Sequence, residues 1–312
     1  LEITEMALVL TVLIVISALM AGCSTTVPTQ ENSPKIKVLV TVLPEAGYVQ
    51  AVGGDKVEVF TVVPPGADPH TYEPSARNMV DFADADVYFS LKKGILPLED
   101  NLVSRLSSMN PHMKVVETAP GIDLIFGKQS NSDADIAGNQ SMGFEEDVKS
   151  NESPDPHVWV SLKNAPVMIN HISDTLCSVD PANAPYYQAN RDAVLTNITS
   201  MDNEIKGMLE KIPHKKFITT HDSWGYFARD YGLTQVVIGQ EGKEVTSKDI
   251  ETIINDARGD RITIIVTEPQ YSRKAADMIA SSVNGSIIMV DPLSPEMPQE
   301  LKKLAIELSR RV

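Results

Sequence analysis

Residues 37–63, KVLVTVLPEAGYVQAVGGDKVEVFTVV, hold two strands and the helix that joins them. Lys37 to Val42 is a β-branched run, Pro44 to Val52 places its apolar residues at helix-like spacing, and Val57 to Val63 is a second β-branched run. A strand, a crossover helix and another strand form the unit from which parallel sheets are built, with helices lying on the faces of the sheet.

The alternation continues outward from this unit. A helix is expected near Ser75 to Ala83, a strand over Val87 to Ser90, a helix from Leu96 to Leu106 and a strand over Lys114 to Glu117. After an interruption come His157-Val158-Trp159-Val160, read as a further short strand, and a helix from Asn164 to Val179. Asp180-Pro181 reads as an N-cap followed by a proline at the first helical position. It opens a helical stretch running to about Lys211, with Val194, Leu195, Ile198, Met201, Ile205 and Met208 along one side. The second half restarts with strands over Lys216 to Thr220, Thr234 to Ile238, Ile262 to Thr267 and Ser286 to Val290. Helices are expected through Trp224 to Tyr231, Ser247 to Ala257, Arg273 to Ser282 and Gln299 to Arg311.

The expected fold class is therefore α/β, with two lobes, each a mainly parallel sheet flanked by helices, joined by one long rigid α-helix. The lobes span 36–180 and 213–312, and the linking helix spans 181–212. A length of 312 residues suits two domains of ordinary size.

Met6 to Gly22 is an uncharged apolar run ending at Cys23, short for a membrane span, and Ala21-Gly22-Cys23 resembles a lipobox. Residues 1–23 are read as a signal peptide with its lipobox, Cys23 as the site of a lipid anchor on the outer face of the cell membrane, and 24–35 as a flexible tether. A plain transmembrane anchor is the alternative. The other cysteine, Cys177, falls in the apolar pattern of a helix and reads as a small buried hydrophobe. Residues 127–154 are rich in Ser, Asn, Asp, Glu and Gly and interrupt the first lobe. They read as a solvated acidic insert; a role in gathering cations is the sharper alternative, motivated by Asp133, Asp135, Glu145, Glu146, Asp147 and Glu152.

A formal net charge of −15 argues against nucleic-acid binding, which needs a basic surface to displace counterions from phosphates. A cationic ligand fits that field better, although an acidic balance by itself often serves only solubility.

The chain has six histidines. Taken singly, a histidine is more often a packed or solvated residue than a ligand. That is the reading for His112, His171 and His214. His70, His157 and His221 differ, because each stands beside an expected strand, where α/β lobes build their sites. Two of them repeat a tripeptide, Asp68-Pro69-His70 and Asp155-Pro156-His157, in which proline stiffens the backbone that presents the imidazole. Asp291, in Val290-Asp291-Pro292-Leu293, ends a strand of the second lobe. Three imidazoles and one carboxylate make a tetrahedral set suited to zinc.

These motifs carry a specific resemblance. Gly66-Ala-Asp-Pro-His70-Thr-Tyr-Glu-Pro-Ser75, Asp155-Pro-His-Val-Trp-Val-Ser161, Thr220-His-Asp-Ser-Trp-Gly-Tyr-Phe227, Thr267-Glu-Pro-Gln270 and Asp291-Pro-Leu293 are similar to the zinc/manganese-type (cluster A-I, cluster 9) substrate-binding proteins of metal ABC transporters. The likeness runs from about residue 36 to the end and is nearest to the zinc-binding members. It implies a metal held between two lobes, by His70 and His157 from the first and His221 and Asp291 from the second. It implies Zn2+ as the transported ligand, with Mn2+ or Fe2+ as alternatives. Members that prefer manganese often carry Glu at the position of His221, and imidazole favours zinc. Zinc-specific members often have a histidine-rich loop before the second ligand; residues 127–154 contain no histidine.

Glu268 and Glu73 are weaker candidates to orient a ligand imidazole, and Asp222 is expected to cap the helix through Trp224. The implied partners are a membrane permease and a cytoplasmic ATPase, with the chain itself a monomer and not an enzyme. A secreted zinc hydrolase would instead need an open fourth position on the metal. An adhesin or other structural surface protein would bind metal only incidentally.

Overall fold

The computed structural model describes residues 34–126, 153–239 and 245–310. The expected signal peptide, nearly all of the tether and all but the last two residues of the acidic insert lie outside them. Strands β1 (Ile36–Val40), β2 (Val57–Thr61), β3 (Val87–Ser90) and β4 (Lys114–Glu117) form one parallel sheet in the order β2-β1-β3-β4. Strands β5 (Lys216–Thr219), β6 (Thr234–Val237), β7 (Ile264–Thr267) and β8 (Ser286–Met289) form a second in the order β6-β5-β7-β8. Both halves therefore repeat one topology. In each, the first strand is central and the chain steps to one side of it and then to the other, which leaves a crevice at the carboxyl ends of the strands.

Alternate residues of a strand face opposite ways, so each sheet buries two apolar faces. Leu39 and Tyr88 pack against Met79 and Phe82 of α2 (Ala76–Phe82) and Leu102 and Leu106 of α3 (Pro97–Met109). Ile218 and Ile265 do the same against α7 (Ser247–Asp260) and α8 (Lys274–Val283).

The other faces, with Val38, Val40, Val87 and Phe89 from one sheet and Phe217, Ile264 and Val266 from the other, belong to a single continuous core. That core also takes in α1 (Leu43–Gly53), α4 (Ala165–Val179), α6 (Gly225–Tyr231) and α9 (Met297–Arg310). Parting the lobes would return shared apolar surface to water at about 25 cal/mol per Å². They are held as one body from Lys35 onward.

The long helix α5 (Ala184–Leu209, 26 residues) packs against α1 and α4 of the first lobe and α9 of the second. Its length, about 39 Å at 1.5 Å per residue, lets it touch both. It does not start at Pro181: Pro181–Asn183 form a 3-10 turn. Asp180 does not cap it either. The Asp180 carboxylate accepts from Asn183 Nδ2 and Tyr187 OH, both at 2.7 Å, and closes the corner between α4 and α5.

Val158–Val160 is not a strand. Val158 N–H donates to Pro156 O at 2.8 Å and Val160 N–H to His157 O at 3.0 Å, so the segment turns tightly. Its apolar residues are fully buried in the shared core. An apolar run buried on all sides has the same sequence pattern as a buried strand. Among the described residues no helix is long and apolar enough to cross a membrane.

Candidate metal centre

His70 lies in the loop between β2 and α2. That loop is drawn tight by Thr71 and Tyr72 N–H donating to Asp68 O at 3.2 and 3.0 Å, and it ends where Ser75 caps α2 in a reciprocal pair with Asn78. His221 follows the carboxyl end of the central strand β5, where Thr220 N–H donates to Val266 O of β7. His157 stands between the insert and α4.

In both Asp-Pro-His motifs the aspartate Oδ1 accepts from the histidine backbone N–H at 2.9 Å, so each histidine is pinned by the residue two before it. Asp155 does more. Its Oδ1 also lies 2.8 Å from His157 Nδ1, which turns the other ring nitrogen, Nε2, toward His70. Tyr226 OH, from the second lobe, donates to Asp155 O at 2.9 Å and accepts from Ile125 N–H at 3.2 Å.

The three imidazoles meet. Their ring centroids form a nearly equilateral triangle of 5.3, 5.3 and 5.2 Å, and their potential ligand nitrogens all lie within 4.8 Å of one another. His70 Nε2 and His157 Nε2 are 3.3 Å apart. A tetrahedral zinc with Zn–N near 2.0–2.1 Å sets neighbouring donors roughly 3.3–3.4 Å apart. His157 and His221 are only 5% and 7% exposed, and His221 Nε2 is buried without a hydrogen-bond partner. An orphaned buried nitrogen costs about 1–3 kcal/mol unless something else satisfies it. Tyr271 stacks on the His221 ring, centroids 4.6 Å apart.

Burial, reinforced by the other two histidines, pushes His221 down to about 3, so its ring is neutral and ready to ligate. For His157 burial acts the same way, but the Asp155 carboxylate outweighs it and holds the ring above its ordinary value. Glu268, just past β7, is buried and pushed up to about 7 by that burial, with Oε1 accepting from Ser223 Oγ and Trp224 Nε1. It lines the cavity between the histidines together with Pro69, Gln270, Tyr271, Pro292 and Leu293, but it makes no bond to a histidine ring; Asp155 takes the orienting role expected of it. Asp291 lies outside the three-nitrogen group and is not among the cavity-lining residues, although its neighbours Pro292 and Leu293 are; its Oδ1 accepts from Gln270 Nε2 at 2.8 Å and Leu293 N–H at 2.9 Å.

Glu73 is exposed and does not line the cavity. Asp222 does not cap α6, which starts at Gly225 with no side-chain cap; its carboxylate holds Gln235 Nε2 instead.

A family model described as the periplasmic component A of the zinc-uptake complex, ZnuA, matches residues 38–304. The chain belongs to this family. The matched span contains every site residue named above and both sheets except Ile36 and Lys37 at the start of β1. The high-affinity zinc uptake system protein ZnuA of Bacillus subtilis (strain 168) is 26% identical over 291 residues, 91% of this chain and 88% of that protein. The manganese ABC transporter substrate-binding lipoprotein PsaA of Streptococcus pneumoniae is 25% identical over 286 residues, 88% of this chain and 86% of that protein. A crystal structure of ZnuA matches with a TM-score of 0.76 at 28% identity, covering 88% of this chain and 98% of that one. Relatives at equal distance are thus named for different metals, and the donor set has to supply the preference.

Asp155, bonded to the His157 ring, and Gln270, which lines the cavity, are the residues at this centre that sequence reasoning passes over. Asp155 was legible as half of a repeated tripeptide; the ring contact that separates it from Asp68 depends on the local turn.

Proposed function

We propose that the chain is the extracytoplasmic receptor of a metal-uptake ABC transporter. It captures one divalent transition-metal ion, zinc by preference, and passes it to a membrane permease worked by a cytoplasmic ATPase. His70, His157 and His221 bind the ion through ring nitrogens, and Asp291 supplies the fourth donor from Oδ2. The observation that carries this reading is the convergence of three imidazoles from both lobes on one point, with a buried nitrogen of His221 left unsatisfied.

The chemistry follows from the environment. The cavity has room for about one water-sized body, so the ion enters without its hydration shell and the protein donors replace it. His221 is already neutral, and His157 must release any proton it carries before it can ligate. Glu268 places a second carboxylate near the dication, offsetting charge that three neutral imidazoles leave uncompensated. Nitrogen-rich donors favour zinc, whereas manganese is served better by oxygen. Four protein donors also fill a tetrahedral shell, leaving no open position for hydrolytic water. The chain acts as a monomer tethered to the outer face of the membrane through lipidated Cys23.

Elemental analysis of protein purified without added metal, followed by zinc and manganese competition, tests the reading. Zinc is expected at one ion per chain. His70→Ala, His157→Ala and His221→Ala should each lose most of the affinity while keeping the fold. Retained affinity in all three, or peptidase or esterase turnover abolished by His157→Ala, would overturn it.

A further inference from the structure

We infer that Gln270 positions the Asp291 carboxylate and thereby widens the preference of the site for zinc over manganese. This rests on the reading of Asp291 as a donor to the ion. Gln270 and Asp291 follow adjacent parallel strands, with Thr267 at the end of β7 paired to Met289 at the end of β8, so the backbone delivers the two side chains to the same edge of the site. Gln270 Nε2 donates to Asp291 Oδ1 at 2.8 Å, and Leu293 N–H donates to the same oxygen at 2.9 Å. Both donors fall on one oxygen. Oδ2 has no hydrogen-bond donor among the described residues.

A carboxylate only accepts, so this contact fixes which way the Gln270 amide points. Its own Oε1 is left buried without a partner, beside the cavity that Gln270 helps to line. An orientation that leaves a buried acceptor unpaired is held because the Asp291 contact outweighs it.

The consequence for metal choice is geometric. With Oδ1 occupied twice, Asp291 can offer the ion one oxygen, giving an N3O set that suits a four-coordinate zinc. Manganese favours more oxygen donors in an octahedral arrangement, which a carboxylate free to turn both oxygens inward would approach. Gln270 holds that second oxygen back.

The test uses the full chain, stripped of metal, with zinc and manganese titrated separately. Gln270→Met keeps the side chain's bulk and removes the donor, and Gln270→Ala serves as a second variant; the site is half-buried, so neither opens the core. Zinc affinity is expected to fall about tenfold, as for other residues that orient a metal ligand, while manganese affinity holds or rises. X-ray absorption of the zinc-loaded variant should show an added oxygen in the shell. Equal losses for both metals, or no change for either, would overturn the inference, since a residue that merely braces the loop would not alter the ratio. In an Asp291→Ala background, Gln270→Met should cost nothing more, because its effect runs through that carboxylate. If Asp291→Ala alone leaves zinc affinity intact, the fourth-donor reading fails. If it weakens binding while Gln270→Met leaves the zinc-to-manganese ratio unchanged, only the positioning role fails.

Discussion

A Cβ on Gly47 would stand 1.9 Å from the carbonyl oxygen of Pro295, so α1 of the first lobe meets the loop behind Asp291 of the second lobe backbone to backbone. No side chain fits there. Alanine is better than glycine in a helix by about 1 kcal/mol. Gly47→Ala should nevertheless destabilise the protein by about 1–3 kcal/mol, because the clash is with main chain that cannot rotate away. The displaced 291–295 loop should also weaken zinc binding. Gly207→Ala is the matched control: it sits in α5 with nothing within 4 Å of the added carbon, and it should stabilise. Denaturant unfolding of both variants, with zinc titration of the first, checks the pair. Equal effects on stability would mean that the lobes are not in backbone contact at Gly47.

The Asp155–His157 pair gives zinc binding a pH signature. Only neutral imidazole ligates, so affinity should climb with pH until the raised pKa of His157 is passed and then level off. His221, held down to about 3, contributes no slope near neutrality. Asp155→Asn removes the carboxylate that holds His157 up, so the plateau should begin at lower pH, while the looser ring lowers plateau affinity by about 10–100-fold. Zinc Kd measured against a competing chelator from pH 5 to 8 resolves the two effects. An unshifted profile would assign the slope to another group.

Most of the fold and the three histidines were legible because their signals are local. The eight strands among the described residues lie where short apolar or β-branched runs stand between turn residues, and His221 sits just past β5 as expected, whereas His70 lies further on, in the loop between β2 and α2. The Asp-Pro-His repeat marks His157 even though Val158–Val160, which has the apolar pattern of a strand, forms a buried turn. What stayed hidden depends on residues brought together from far apart. Gly47 is an ordinary helical glycine until Pro295 approaches it. Gln270 is one polar residue in a turn until β8 delivers Asp291 beside it. Asp222 had a local reading as a helix cap, and a tertiary partner, Gln235, took its carboxylate instead.

Trp159 joins the lobes a second way. Its ring is fully buried, and Nε1 donates to Pro292 O at 2.7 Å, across from the segment that carries His157 to the one that carries Asp291. Trp159→Phe keeps an aromatic ring but leaves that buried carbonyl unpartnered, and should cost about 1–3 kcal/mol of stability. Zinc affinity should fall with it, since Pro292 follows Asp291 directly. Wild-type affinity in a destabilised variant would show that the bond serves the core alone.

A buried pair of glutamates that metal binding does not use should make the stability of the metal-free protein fall with rising pH. Glu45 of α1 and Glu99 of α3 are 0% and 2% exposed and share Thr41, which donates its backbone N–H to Glu45 Oε2 at 3.3 Å and its hydroxyl to Glu99 Oε1. Thr118 Oγ1 donates to Glu45 Oε1, and Leu91 N–H to both Glu99 oxygens. Burial pushes Glu99 up to about 7 despite these donors, and burial together with the Glu99 charge raises Glu45 well above the carboxylate range. A carboxyl whose folded pKa is raised stabilises most below its unfolded value near 4.5, and that contribution is lost as pH rises through about 7. Glutamine at position 99 cannot ionise. The stability of Glu99→Gln relative to wild type should therefore climb from about pH 4.5 to about pH 7, by up to about 1.4 kcal/mol per pH unit, and level off above. The histidines titrate alike in both proteins and cancel in the difference. Denaturant unfolding at intervals from pH 4.5 to 8 gives the two curves. If they ran parallel across that range, Glu99 would titrate alike in the folded and unfolded protein, and burial would not be raising it.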